Sequence, residues 1–208
     1  MAELFGGIGI EVIQTIETLL AYFCLLFASS YLITGNQLTA LQSHLIVIGI
    51  ALFIVVNASA FVVFLDSYLA STGSMKNIMA GLAIGLGICL SFSALLYFLF
   101  AWFIKKELYL LTYIIWTLFL SGQVSKIVSL LQQVDILQNS VALWDSSTFV
   151  KDSSEYGQLF NTLFGYEASP SMEFIMLYAA SLLIFLCYFL INSSTWFQQS
   201  IDSAKGKE

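Results

Sequence analysis

The stretch TLLAYFCLLFASSYLITGNQLTALQSHLIVIGIALFIVVNASAFVVFL, residues 18–65, contains no Asp, Glu, Lys or Arg. A membrane-spanning helix needs about 20 mostly apolar residues, so this run is too long for one helix. It is interrupted once, at Thr34-Gly35-Asn36-Gln37. The reading is two consecutive spans, about 8–33 and 43–66. Working outward, a polar break at Ser71-Thr72-Gly73-Ser74 precedes a third apolar run, about 77–104, which stops at Lys105-Lys106-Glu107. A fourth covers about 108–131 and a fifth about 170–192. The expected fold is an all-α integral membrane helix bundle, residues 1–208 forming a single membrane domain with five transmembrane helices.

Composition agrees. The 208 residues are 59% hydrophobic, 15% aromatic and 10% charged, with a mean hydropathy of +0.90. Soluble domains carry about 25% charged residues; this chain has too few to cover a water-facing surface. Seven lysines stand against thirteen acids, and arginine is absent. A phosphate reader needs a basic face, so nucleic acid is not an expected partner. The expected neighbours are the lipid bilayer and either further copies of the chain or other integral membrane subunits. The start, Met1-Ala2-Glu3-Leu4, has no basic segment, so the first span is expected to be retained rather than cleaved.

The polar stretch 132–169 contains one more element. Asp152-Ser153-Ser154-Glu155 has the spacing of a helix start, and Leu159, Phe160, Leu163 and Phe164 recur with helical period. Gly165 suits a C-terminal cap. The expectation is a short amphipathic helix over about 153–164. Ser169-Pro170 reads as the start of the fifth span, with serine as cap.

Orientation follows from the lysines. With the N-terminus outside, the inner side holds Lys105, Lys106, Lys205 and Lys207, and the outer side Lys76 and Lys151. The C-terminus is then cytoplasmic. The outer side also collects Glu3, Asp66, Asp135, Asp145, Asp152, Glu155 and Glu167. Such a surface concentrates cations, or simply solvates the loops.

Ionisable groups inside spans are costly and need a reason. The first span carries Glu11 and Glu17. Glu11, Gln14, Thr15 and Thr18 share one face, a polar stripe that either lines a cation path or forms hydrogen-bond glue to a neighbour. The second span offers Asn57, Ser59 and Asp66. The fourth has Thr117, Ser121, Ser125 and Ser129 at four-residue steps, with Lys126 beside them. A pair between Lys126 and one of the glutamates is the natural arrangement for two buried charges. Gly81 with Gly85, and Ala83 with Gly87, suit close helix packing on the third span. Cys24, Cys89 and Cys187 lie in apolar runs and read as buried free thiols. The single histidine, His44, excludes the usual Cys/His zinc site. No phosphate loop, base–nucleophile set or Cys/His cluster is present, so the chain does not read as an enzyme. Carboxylates, amides and hydroxyls remain, the ligands that hard cations prefer.

The C-terminal half carries a resemblance. Ala142-Leu143-Trp144-Asp145-Ser146-Ser147, then Gly157-Gln158-Leu159-Phe160, then Leu163-Phe164-Gly165-Tyr166-Glu167-Ala168-Ser169-Pro170-Ser171 resemble, in order and spacing, the bacterial oxidase-dependent iron permeases. The resemblance covers about residues 77–192. It implies a bacterial inner membrane, iron as the transported ion, and acids of two Arg-Glu-x-x-Glu motifs as its ligands. Here Ile16-Glu17-Thr18-Leu19-Leu20 keeps one such acid, Glu17, and Leu20 replaces the other. The second motif falls near Asn57-Ala58-Ser59-Ala60-Phe61, with both acids gone. The metal ligands implied are Glu17, with Glu11 and Asp66 in support. The alternative function is an accessory subunit of a larger membrane complex, in which transport has been lost.

Overall fold

The computed structural model describes residues 9–30, 39–72, 75–106, 108–138 and 140–205. These form six helices: α1 Gly9–Ala28, α2 Ala40–Thr72, α3 Met75–Lys105, α4 Tyr109–Gln133, α5 Glu155–Phe164 and α6 Met172–Lys205. Five are long and apolar enough to cross a membrane, over Gly9–Ala28, Ala40–Ser59, Ile78–Lys105, Tyr109–Gln133 and Met172–Ser193. The sequence break at 34–37 lies outside the described residues.

Helix ends follow local chemistry. Thr39 Oγ1 accepts from Gln42 N at 3.3 Å, and Gln42 Oε1 accepts from Thr39 N at 2.9 Å. This reciprocal capping box starts α2 at Ala40, earlier than the apolar run suggests. Ser154 caps α5, accepting from Gly157 N at 3.1 Å. Gly165 closes α5 at φ 67°, ψ 31°, a left-handed cap in which a side chain is disfavoured. The cap of α6 is Ser171, whose Oγ accepts from Phe174 N at 3.3 Å; Ser169 is two residues too early. Hydropathy ends the last span near residue 193, but the helix itself continues in polar sequence to Lys205.

The core gathers Tyr22, Leu25, Leu26, Tyr113, Leu120, Val124, Ile127 and Phe185 from α1, α4 and α6. α1 also lies along α2, and α4 along α6 and α5. A polar network crosses this core. Ser181 Oγ donates to Tyr22 Oη at 3.0 Å, and Ser181 and Ser121 hydroxyls lie 2.9 Å apart. Ser181 has one proton, so Ser121 is the donor of that second bond. The Tyr22 proton is aimed at the Ser181 carbonyl, 3.3 Å away. Ser121 and Ser125 are fully buried. The hydroxyl ladder of α4 therefore works as interhelical and intrahelical glue.

α3 differs from its neighbours. Among the described residues of its spanning stretch only Phe103, near its end, is buried, and it packs chiefly on α4. A Cβ placed at Gly81, Gly85 or Gly87 meets nothing within 4 Å. Among the described residues, the close packing expected of these glycines is absent, because no other described helix passes that face. The cysteines also correct an expectation. Cys89 and Cys187 are exposed and Cys24 is half-buried; an apolar run in a membrane helix marks a lipid-facing side as readily as a core.

Candidate functional site

The polar groups of the spans separate into two places. Along α1, Thr15 and Thr18 bond back to the carbonyls of Glu11 (2.8 Å) and Gln14 (2.7 Å), satisfying themselves within the helix. Gln14 is buried and its Nε2 donates across to Ser59 Oγ of α2 at 2.9 Å. That bond uses the stripe as interhelical glue. Glu11 is half-buried, and its Oε2 is enclosed without a hydrogen-bond partner. Glu17 is half-buried and Asp66 is exposed. Glu11 and Glu17 are six residues apart, so they project about 120° from one another around the axis. Among the described residues, no three His, Cys, Asp or Glu side chains lie where they could hold one metal ion together. His44 is exposed near the start of α2.

The second place is a cleft of about 340 Å³ between α1, α2, α4 and α5. Its polar wall includes Gln14, Thr18, Asn57, Gln123, Lys126 and Asn161, and its apolar wall includes Phe53, Val56, Ile127 and Leu130. Lys126 is half-buried and makes no ion pair among the described residues. The Lys126–glutamate pair drawn from the sequence is not formed among them. Three further amides of the wall are tied to the fold. Gln123 Nε2 donates to Thr162 O at 2.8 Å, Asn161 Nδ2 to Tyr166 O at 2.9 Å, and Asn57 Nδ2 to Phe53 O at 2.8 Å. Among the described residues, the only ionisable side chain on the cleft wall is thus a cation.

The loop 142–171 braces this end of the bundle. Leu143 N bonds to Pro170 O at 3.0 Å and Ser146 N to Ala168 O at 2.8 Å. Tyr166 Oη donates to Val150 O at 2.9 Å and lies 3.0 Å from Ser146 Oγ. Asp152 Oδ1 accepts from Ala168 N at 2.9 Å. Asp145 accepts from Ser147 N at 2.8 Å; hydrogen bonds from Ser147 hold its carboxyl below the usual range. The motif residues that carried the sequence resemblance are therefore the ones that fasten the loop. No family model, curated protein or solved structure matches this chain.

Glu167 is the strained acid of this loop. Burial first, and then the nearby Asp152 charge, push its carboxyl above the usual range. The folded state therefore holds that proton more tightly than the unfolded chain. Its stabilising contribution is complete below the unfolded value of 4.5 and is lost as pH rises through the raised folded value. Glu167→Gln should remove that loss. Melting temperatures at acid and neutral pH should differ less in the variant, which should be the more stable protein at neutral pH. An unchanged pH dependence would count against the assignment.

Proposed function

We propose that this chain is an integral subunit of a larger membrane assembly, built on an iron-permease-like fold, and that α3 is the helix through which it assembles. The reading is supported by one observation above all: among the described residues α3 buries only Phe103 at its end, and it leaves Gly81, Gly85 and Gly87 open. Glycine in a helix costs about 1 kcal/mol relative to alanine. It is worth that cost where a second backbone comes close, as in small-residue packing between membrane helices. Gly81 with Gly85, and Ala83 with Gly87, lie about 160° apart around α3, so helices can approach from two sides. The expected setting is a bacterial inner membrane, with the N-terminus outside and the C-terminus cytoplasmic.

The test is the native mass of the protein extracted from its own membrane in mild detergent. Co-purification with other integral subunits in fixed ratio is expected. Gly85→Leu fills open space and should leave the chain folded while releasing those partners. A lone monomer, or an assembly indifferent to Gly85→Leu, would refute the proposal; a homo-oligomer would replace the partner by a second copy.

A second reading, a cation permease, is favoured by Glu11, whose enclosed oxygen lacks a partner. It predicts iron flux into proteoliposomes that falls in Glu11→Gln and Glu17→Gln. Flux that is absent, or that stays at the wild-type level in both variants, would leave the subunit reading alone.

A further inference from the structure

We propose that the cleft around Lys126 binds the phosphate headgroup of an anionic phospholipid, with the first part of an acyl chain against its apolar wall. This does not rest on the assembly role of α3. Among the described residues, the cleft wall has one cation and no acid, and four of its amides each give a proton to the protein. Gln14, Gln123, Asn57 and Asn161 each donate to a protein acceptor, whereas the Lys126 ammonium makes no ion pair among the described residues. An ammonium on a spanning helix needs an anionic or polar partner, and the bilayer itself supplies one.

Depth fits this partner. α4 has 25 residues, a length of about 37 Å at 1.5 Å per residue, against about 30 Å of hydrocarbon. Lys126 lies seven residues before the end of α4 at Gln133; with α4 centred on the hydrocarbon and upright, its Cα sits about 7 Å inside the edge. A lysine stem extends along apolar surface to carry its charge outward over that distance. The side chain then meets the level where lipid phosphates lie.

Size and chemistry choose among anions. A volume of about 340 Å³ accepts a headgroup but not a helix, which is about 10 Å across. Phe53, Val56, Ile127 and Leu130 suit an acyl chain and offer nothing to a bare anion. Asn57, exposed on α2, stands at the rim and spends its amide N–H on its own helix. Its carbonyl oxygen is placed to accept from a headgroup hydroxyl.

The experiment uses the full chain in mild detergent. Thermal unfolding is followed with added phosphatidylglycerol, phosphatidylcholine or inorganic phosphate, and native mass spectrometry records retained lipid. Phosphatidylglycerol alone should raise the melting temperature and stay bound. Lys126→Met should weaken its apparent affinity at least tenfold, and Lys126→Arg should retain it. Asn57→Ala, which loses only a bond within α2, should weaken it severalfold; it keeps the test decisive if Lys126→Met does not fold. Stabilisation by phosphatidylcholine to the same degree would overturn the proposal. So would an equal effect of inorganic phosphate, wild-type affinity in both Lys126→Met and Asn57→Ala, or a partner carboxylate crosslinked to Lys126.

Discussion

Gly122→Ala should unseat the loop 142–171 and α5 from the bundle. A Cβ at Gly122 would lie 2.5 Å from Gly165 N, 2.5 Å from Phe164 C and 2.7 Å from Phe164 O. All three are backbone atoms, so no side chain can rotate to make room. Overpacking by one methyl costs about 1–3 kcal/mol in well-packed sites, and this contact belongs at the upper end. The helix end cannot retreat cheaply. Gly165 is its left-handed cap, and Gln123 Nε2 is bonded to Thr162 O beside it. The expected result is a lower melting temperature together with faster trypsin cleavage after Lys151, which is exposed in the braced loop. Wild-type stability with wild-type cleavage would mean that the two glycines do not lock this junction.

Phe185→Ala is the second large effect. Phe185 has no exposed surface and stands edge-on to Tyr22 and Tyr113, with ring centroids 5.7 and 6.0 Å away. Its carbonyl accepts the Tyr113 hydroxyl at 2.9 Å, a bond that survives the substitution. In soluble cores Phe→Ala costs about 3–5 kcal/mol. Between membrane helices, lipid tails are as apolar as the core, so the transfer part shrinks and the packing part remains. A loss of about 3 kcal/mol is the expectation, at the lower end of the soluble range. The void would adjoin an apolar hollow of about 390 Å³ that Phe185 already borders. Unfolding followed by near-ultraviolet dichroism reads both the stability and the two tyrosines. A loss under about 1 kcal/mol, below the usual cost of emptying a core site, would show that the helices close over the gap.

Hydropathy carried the five spans because it is a sum over some twenty residues, insensitive to any one contact. The short helix α5 was equally legible, since Ser154 and Gly165 mark its ends locally. The start of α2 was legible too, in Thr39-Ala40-Leu41-Gln42, but the longer apolar run masked a four-residue signal. The cap of α6 lies at Ser171 because Pro170 occupies the position before the cap, not the first turn. What sequence could not carry was azimuth. The apolar runs around Cys89 and Cys187 look alike whether they face lipid or protein. The stripe on α1 shows four polar residues on one face. Only the neighbouring helix determines that Gln14 meets Ser59, that Glu11 is left with an enclosed unpartnered oxygen, and that Lys126 has no glutamate beside it among the described residues. The iron-binding role expected of Glu17 rests on its motif position, with Glu11 and Asp66 as supporting acids, and among the described residues these three do not form a single cluster.

The Ser121–Ser181–Tyr22 network has a consequence for rotation. Lipid surrounds a helix evenly, so an apolar cylinder gains little from one angular setting over another. A bond with a fixed donor and acceptor breaks that symmetry. It keys α1, α4 and α6 into one angular register, as pins hold a set of rods. Among the described residues, α3 carries no side-chain hydrogen bond to another helix; Ser91 bonds only to Gly87 of its own turn. These three helices, with α2 keyed to α1 by the Gln14–Ser59 bond, thus form an indexed frame, whereas α3 has no such pin among the described residues.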